Sequence, residues 1–189
     1  MILLAEIREG LTVPDFGPEF CIHMDQKRHP GHRSASISAW RLLEAGLKRR
    51  GCEKMPEVRF IENGKPVFRD AGLHFSLSHS GNLAAVVISD ENCAVDVEIT
   101  GRNVEKKLKS RCMHENEIAA GMDFFECWTK KECIGKLSGK GMPSRPCEID
   151  LTAEKTAYFC ESVCDSEGKS YFLSTAGIKL PDKIEWMEL

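Results

Sequence analysis

The chain has 189 residues, a formal net charge of −3 at pH 7, 42% hydrophobic residues and 29% charged residues. This length suffices to bury a core as one large domain or as two small, closely packed halves, without help from disulfides. The composition is typical of a soluble globular protein: no stretch approaches the roughly 18 consecutive apolar residues of a membrane span. The slight acidic excess argues against a general nucleic-acid-binding protein.

The N-terminal residues 1–7 are apolar and predict a first strand, because they lack the length, basic lead segment and cleavage site of a signal peptide. Residues 27–50 carry an excess of positive charge, which suits either a local anion site or a solvated helix face. Against the single acid Glu44, this stretch contains Lys27, Arg28, Arg33, Arg41, Lys48, Arg49 and Arg50.

A helix is predicted over residues 34–50. Apolar residues recur there near helical spacing, and the final cations and Gly51 suit a helix C-terminus. Trp40 lies on the apolar side of this pattern, so we expect it in the core.

A hairpin is predicted over residues 57–62 and 65–68. The intervening Asn63-Gly64 pair tolerates the positive φ angles of a tight turn. Pro66 cannot donate a backbone hydrogen bond and therefore favours an edge strand.

Three further strands are predicted over residues 73–79, 83–88 and 93–99. The first and third alternate between apolar and polar residues, and the second is continuously apolar. Because the connections are short, we expect a meander that presents His79 and Asp96 from one sheet.

The C-terminal part predicts one long helix and a second hairpin. Asp123 and Glu126 have the spacing of a capping box that opens a helix over residues 124–138. Residues 156–164 and 171–175 have strand composition and flank a turn-forming segment, which indicates a second small sheet.

Nine cysteines occur singly, with no C-x-x-C pair. This usage indicates a reducing cytoplasm and thiols that are structural or incidental. A zinc or redox protein is the alternative, and it predicts bound metal or a reversible disulfide. However, the nearest candidate ligand pairs, His29 with His32 and Cys160 with Cys164, lack a second pair at suitable spacing.

Carboxylates and a lysine recur at spacings that can form a site. Asp96 and Glu98 alternate in a predicted strand and therefore share a face. Glu132 and Lys136 lie one helical turn apart. Together with His79 at a strand end, they suit a hard divalent cation and phosphate groups. Taken singly, each also fits an ordinary role: surface acids on a strand, a helix-surface ion pair and a histidine in a turn.

The order of the motifs carries more information than any one of them. The segments are F-S-L-S-H-S-G at 75–81, V-D-V-E at 95–98 and W-T-K-K-E-C-I-G-K-L-S-G-K-G at 128–141. Together they resemble the three motifs of the 4′-phosphopantetheinyl transferases of the surfactin-synthetase-activating type. Gly64-Lys65-Pro66 also fits the family pattern, and weaker similarity extends upstream to Arg33 and residues 36–40.

The resemblance implies an enzyme, a holo-[carrier protein] synthase. It would transfer the 4′-phosphopantetheine arm of coenzyme A to a serine of an apo acyl or peptidyl carrier protein and release 3′,5′-ADP, with Mg²⁺ as cofactor. The resemblance implies three metal ligands, which are Asp96, Glu98 and Glu132, and Glu117 is a secondary candidate for the metal site. The implied catalytic residues are Glu132 and Lys136. The implied coenzyme A contacts are Arg33, Ser36, Lys65, Ser78, His79, Asp96 and Lys136.

The resemblance also implies an α+β fold of two similar halves, residues 1–94 and 95–189. Each half would be a small antiparallel sheet packed with a long helix, related by a pseudo-two-fold axis with the active site in the cleft between them. The first half would contact coenzyme A phosphates, and the second would carry the metal site and the catalytic helix. A monomer without nucleic-acid or membrane partners is expected. The alternative is a non-catalytic module that binds coenzyme A or a carrier protein.

Overall fold

The computed structural model describes residues 1–26, 29–70, 72–181 and 183–189, which form an α+β fold as predicted. The helices are α1 (Pro18–Asp25), α2 (Pro30–Arg49), α3 (Lys106–Cys112), α4 (Glu115–Ala119) and α5 (Phe124–Ser138). The strands are β1 (Ile2–Glu6), β2 (Val58–Phe60), β3 (Pro66–Phe68), β4 (His74–Ser80), β5 (Leu83–Ser89), β6 (Cys93–Ile99), β7 (Tyr158–Cys164), β8 (Ser170–Gly177) and β9 (Ile184–Trp186). No helix in these ranges combines the length and apolar character needed to cross a bilayer.

The first sheet has the strand order β4-β5-β1-β9, and α2 packs against it. Trp40 of α2 lies in the core, as predicted, where its ring contacts Phe16, Phe20 and Phe75. The sheet is antiparallel except at one edge, where β9 pairs parallel with β1. The expectation of a purely antiparallel first sheet is therefore wrong, because the last strand returns from the far end of the chain.

The second sheet has the order β6-β8-β7, is antiparallel throughout and packs against α5. Val95 and Val97 of β6 join a core shared with Leu4 and Leu83 of the first sheet. The two sheets therefore pack face to face, with α2 and α5 on their outer sides. Burial of these alternating apolar residues fixes the register of β6, since a slip by one residue would turn the valines outward.

The predicted meander is wrong at its third strand: β4 and β5 pair, but β6 belongs to the second sheet. The edges of β4 and β6 lie side by side, and serine side chains replace the backbone ladder there. Ser78 Oγ accepts from the N–H of Val97 at 3.3 Å, and Ser80 Oγ accepts from the N–H of Ile99 at 3.1 Å. We call this junction of residues 77–80 with residues 95–99 the seam.

The predicted hairpins are both present. Asn63 and Gly64 have φ angles of 69° and 76° between β2 and β3, so the turn uses the positive φ that this pair tolerates. β7 and β8 form the second hairpin. The division into residues 1–94 and 95–189 stays a prediction; β6 crosses that boundary, and β9 joins the first sheet.

Candidate functional site

Two serines of β4 hold the two carboxylates of β6. Ser78 Oγ donates to Asp96 Oδ1 at 2.7 Å, and Ser80 Oγ donates to Glu98 Oε2 at 3.0 Å. The two serines are two residues apart on β4, and the two acids are two residues apart on β6. Because side chains alternate along a strand, each pair lies on one face, and all four side chains meet. The predicted shared face of Asp96 and Glu98 therefore lies at the seam between the sheets.

Helix α5 delivers Glu132 and Lys136 to the seam, and its predicted bounds are confirmed. Asp123 Oδ1 caps the helix by accepting from two backbone N–H groups of the first turn, at 2.8 and 3.1 Å. Glu126 does not complete a capping box and pairs with a lysine one turn on. Gly139, with φ of 69°, ends the helix in the left-handed region.

The ammonium of Lys136 bridges both strands of the seam. Its Nζ donates to Asp96 Oδ1 and the carbonyl oxygen of Val95, each at 2.8 Å, and to the carbonyl oxygen of Leu77 at 3.4 Å. Burial opposes the charge, but the carboxylates of Asp96 and Glu132 nevertheless raise the pKa of Lys136 above its ordinary value. The lysine is therefore held as a cation.

The two glutamates lie in an environment that disfavours their charge. Burial raises the pKa of Glu132, and the nearby charges of Asp96 and Glu98 raise it further against the opposing effect of Lys136. Burial also raises the pKa of Glu98, reinforced by Asp96, although Arg102 lies 3.6 Å from its carboxylate. Mutually repelling acids in a partly dry site are stabilised by an added cation.

One carboxylate oxygen lacks a partner. Asp96 Oδ2 is buried and has no hydrogen-bond partner among the described residues, whereas Asp96 Oδ1 is bound by Ser78 and Lys136. Leaving a buried oxygen unpaired costs free energy. Within the described ranges, no three His, Cys, Asp or Glu side chains lie close enough to form a ready-made metal site. The chemistry of the donors, an orphaned oxygen beside two glutamates of raised pKa, nevertheless fits a hard divalent cation.

A cavity of about 500 Å³ opens beside the seam. Its volume is in the range of about 300–1,000 Å³ that is usual for small-molecule sites. Trp40, Phe60 and Phe75 supply apolar and aromatic wall, and Gly139 and Gly141 line the end near α5. Five of the seven predicted coenzyme A contacts also line it: Ser36, Lys65, Ser78, His79 and Lys136.

The β2–β3 hairpin joins this cavity to the end of α5. Lys65 Nζ donates to the backbone carbonyl oxygen of Lys136 at 2.6 Å, and Asn63 Nδ2 donates to that of Gly139 at 3.4 Å. Burial lowers the pKa of Lys65 from its ordinary value. The loop therefore places a second, partly desolvated lysine on the cavity wall, where it is suited to an anion.

Arg33 and Ser36 lie on the same side of α2 but play different parts. Ser36 reaches the cavity, and its hydroxyl lies 3.7 Å from Met24 Sδ. Arg33 is not among the lining residues; its guanidinium donates to the carbonyl oxygen of Met24 and lies 4.0 Å from Asp25. The structure thus brings Ser36, but not Arg33, to the predicted coenzyme A contacts.

The described part of the basic segment 27–50 favours one of the two interpretations. Lys27 and Arg28 lie outside the described residues. Four cations of the segment form surface ion pairs, which supports a solvated helix face for this portion. The pairs are Arg41 and Lys48 with Glu44 at 2.6 and 2.9 Å, Arg49 with Glu185 at 3.1 Å, and Arg50 with Asp90 at 2.6 Å.

Glu117 pairs with Lys131 of α5, and neither side chain is exposed. Lys131 Nζ lies 2.8 Å from Glu117 Oε2, whose carboxylate also accepts from the backbone N–H groups of His114 and Leu151 at 2.9 and 3.0 Å. The structure therefore places the secondary metal candidate in a buried ion pair that ties α4 to α5.

Sequence reasoning missed Ser80 at this site and Lys131 at the buried ion pair with Glu117. Ser80 repeats, two residues after Ser78, the spacing of the acids on β6. Lys131 lies on the same face of the helix as buried Phe124 and Cys127. This spacing indicates a lysine that faces the interior, and a buried lysine is normally paired with an acid.

Comparisons with known proteins give curated relatives, although no protein-family model matches the chain. The chain is 36% identical over 109 residues to the 4′-phosphopantetheinyl transferase gsp of Aneurinibacillus migulanus, covering 52% of this chain and 45% of that protein. It is 35% identical over 124 residues to the 4′-phosphopantetheinyl transferase AcpT of Salmonella typhimurium, covering 58% and 61%. The uncharacterized protein YieE of Escherichia coli K12 is 35% identical over 187 residues, covering 85% and 73%. The chain thus spans less than two thirds of the first two relatives.

Proposed function

Because the chain belongs to the 4′-phosphopantetheinyl transferase family, we propose that it transfers the 4′-phosphopantetheine arm of coenzyme A to a serine of an apo acyl or peptidyl carrier protein. The observation that carries this proposal is the juxtaposition at the seam. Asp96 has a buried oxygen without a partner among the described residues and lies close enough to Glu98 and Glu132 to affect their pKa. Its other oxygen accepts from Ser78 and Lys136, which line the cavity together with Lys65 and His79. Acids for a cation therefore lie next to cations for phosphates.

The cavity would take the nucleotide part of coenzyme A. In this proposal, Lys65 and His79 bind its phosphates, and the hydroxyl groups of Ser36 and Ser78 add hydrogen bonds to them. The aromatic wall of the cavity would cover the apolar surface of the ligand. Arg33, which does not line the cavity, would act from its rim.

Bond exchange occurs at the phosphorus that carries the pantetheine arm. The carrier serine oxygen attacks this phosphorus, and the bond to the bridging oxygen breaks, so that the electron pair leaves with 3′,5′-ADP. Glu132 accepts the serine proton, directly or through water, because a carboxylate at the edge of the proposed metal site would lie near the incoming hydroxyl. Lys136, whose ammonium stays charged at the seam, would exchange its 3.4 Å contact with the Leu77 carbonyl oxygen for a hydrogen bond to the leaving phosphate.

Asp96, Glu98 and Glu132 would hold Mg²⁺. When bound, the ion would offset the charge that develops as the phosphoanhydride breaks. Burial raises the pKa of both glutamates and the charge of Asp96 raises it further; the positive charge of the ion would offset this second effect.

The test is incubation of the purified protein with coenzyme A, Mg²⁺ and a panel of apo carrier proteins, followed by intact-protein mass spectrometry. We expect a phosphopantetheine arm on at least one carrier. Glu132→Gln should lower kcat/KM by about a hundredfold or more, since it removes a metal ligand and the base together. Absence of transfer to every carrier would contradict the proposal.

Glu126→Gln is the matched control. It makes the same change on the same helix, but Glu126 pairs with Lys130 at the surface. We expect near wild-type transfer. If wild-type protein binds coenzyme A and carrier but transfers nothing, the chain is the non-catalytic binding module instead.

The carrier contact is proposed at α3. This helix exposes Lys106, Lys107, Lys109 and Arg111 soon after the acids of β6. A cationic surface suits an acidic partner and makes association dependent on salt. Lys107→Glu with Lys109→Glu should raise the KM for the carrier but leave coenzyme A affinity unchanged, as measured by titration calorimetry.

We also propose that the protein acts as a cytoplasmic monomer. All nine cysteines, each in the described part of the chain, are free thiols, which suits a reducing compartment. The seam combines residues of both sheets within one chain, so no second copy is needed to supply the proposed acids and lysines. A sedimentation experiment that shows only dimers would contradict the monomer.

A further inference from the structure

Ser80 makes two contacts with β6 through a single hydroxyl. Its oxygen accepts from the N–H of Ile99 at 3.1 Å and donates to Glu98 Oε2 at 3.0 Å. A hydroxyl has one proton to donate, so the backbone contact orients the oxygen while the proton is directed at the carboxylate. Ser80 does not line the cavity and has no part in the transfer steps above.

Glu98 has a competing partner. Arg102, four residues on, lies 3.6 Å from the same Oε2 atom, and its guanidinium also lies over the ring of Phe125. Without the hydroxyl of Ser80, the carboxylate would keep Arg102 and the hydrogen bond with the Trp128 side chain as partners, but no contact from β4. The serine is therefore the group of β4 that fixes the direction of the Glu98 carboxylate.

We infer that Ser80 is a positioning residue that holds the Glu98 carboxylate in the direction required to bind a divalent cation; this rests on the proposed function. The parallel with Ser78 supports it, because Ser78 contacts Val97 N–H and Asp96 Oδ1 in the same way at 3.3 and 2.7 Å. Each acid of β6 is thus held by one serine of β4. Groups that orient metal-binding side chains commonly change metal affinity by about 10- to 100-fold when removed.

The test measures Mn²⁺ binding by electron paramagnetic resonance, with Mn²⁺ as the probe and no substrate present. We expect Ser80→Val to raise the Kd for Mn²⁺ about tenfold. Ser80→Thr, which has nearly the same shape and keeps the hydroxyl, should bind like the wild type. Circular dichroism confirms that each variant is folded, and Ser80→Ala replaces Ser80→Val if the larger side chain prevents folding.

Ser89→Ala is the control for loss of a strand hydroxyl. Ser89 ends β5, is buried and accepts a local hydrogen bond from the N–H of Glu91. Mn²⁺ affinity should be unchanged.

A double-mutant cycle separates positioning from a purely structural role. In a Glu98→Gln background, Ser80→Val should cause no further loss of Mn²⁺ affinity, since the carboxylate that it positions is gone. In the transfer assay, Ser80→Val should raise the KM for Mg²⁺ and leave the KM for coenzyme A unchanged.

The outcomes distinguish this inference from the proposed function. If the wild type transfers the arm and binds Mn²⁺ but Ser80→Val binds Mn²⁺ equally well, or loses affinity equally in both backgrounds, the positioning role is overturned and the proposed function stands. If Ser80→Val weakens binding as expected but no carrier is modified, the positioning role stands and the proposed function fails. A wild type that neither binds Mn²⁺ nor modifies a carrier overturns both.

Discussion

The buried pair of Lys131 and Glu117 allows a quantitative prediction about stability. Lys131 Nζ donates to Glu117 Oε2 and to the carbonyl oxygen of Cys112, each at 2.8 Å, and neither charged side chain is exposed. Lys131→Met removes the ammonium and leaves a buried carboxylate without a counter-charge. Breaking such a pair from one side costs about 3–5 kcal/mol. Two backbone N–H groups still donate to Glu117, so we expect a loss near the lower end, about 3 kcal/mol.

Urea denaturation followed by circular dichroism measures this loss as a change in the free energy of unfolding. Lys130→Met is the matched control, because it makes the same change one residue earlier on α5. Lys130 pairs with Glu126, and their side chains are 16% and 30% exposed. Partly exposed pairs of this kind contribute about 0–1 kcal/mol, and the contact of the Lys130 ammonium with the Tyr158 ring contributes about 0.5–1 kcal/mol. The control should therefore be about 1 kcal/mol or more above Lys131→Met in stability.

A loss below about 1 kcal/mol for Lys131→Met, or equal losses for both variants, would refute the reasoning, since a buried charge would then be tolerated without a partner.

The pair also bears on Glu117 as a metal candidate. If its role is to tie α4 to α5, folded Glu117→Gln should bind Mn²⁺ like the wild type. A large loss of Mn²⁺ affinity would instead favour Glu117 as a ligand.

Three further predictions concern close packing and thiols. Gly135→Ala would place a Cβ atom 2.7 Å from the carbonyl atoms of Gly141, so the loop that lines the cavity must move and the KM for coenzyme A should rise several-fold in the transfer assay. Tyr171→Phe removes a fully buried hydroxyl that makes two hydrogen bonds and should cost about 1–3 kcal/mol in urea denaturation. Burial raises the pKa of Cys93 to about 12, so iodoacetamide should modify exposed Cys21 and spare Cys93 in the folded protein, as read by peptide mass spectrometry.

Local patterns predicted the elements that carry the site. Alternation in residues 93–99 gave β6 its two faces, because Val95 and Val97 could be buried only on the side opposite to Asp96. The long helix was predicted with its correct bounds, since Asp123 caps one end and a glycine in the left-handed region closes the other.

Long-range pairing was not encoded in the same way. β9 has only three residues, too few to show a period, and its partner β1 lies at the other end of the chain. The short α1 was missed because its eight residues make only about two helical turns, too few to show a helical period in the sequence. The meander was wrong because proximity in sequence favoured β5 as the neighbour of β6, whereas β6 pairs with the distant β8 and packs its valines against the face of the first sheet.

The hydrogen bonds of Asp96 could not be predicted from the sequence. Spacing predicted that Asp96 and Lys136 approach one site. It did not reveal that Lys136 and Ser78 both donate to Oδ1 of Asp96, while Oδ2 has no partner among the described residues. That division depends on two carbonyl oxygens, of Leu77 and Val95, which also accept from Lys136 Nζ and so hold the ammonium on one side of the carboxylate. Because the lysine is anchored by backbone atoms from both sheets, a cation approaching Oδ2 need not displace it. The packing of the two sheets at the seam thereby leaves one carboxylate oxygen without a partner among the described residues, which is the oxygen that would bind the proposed metal, and pairs the other with a lysine and a serine.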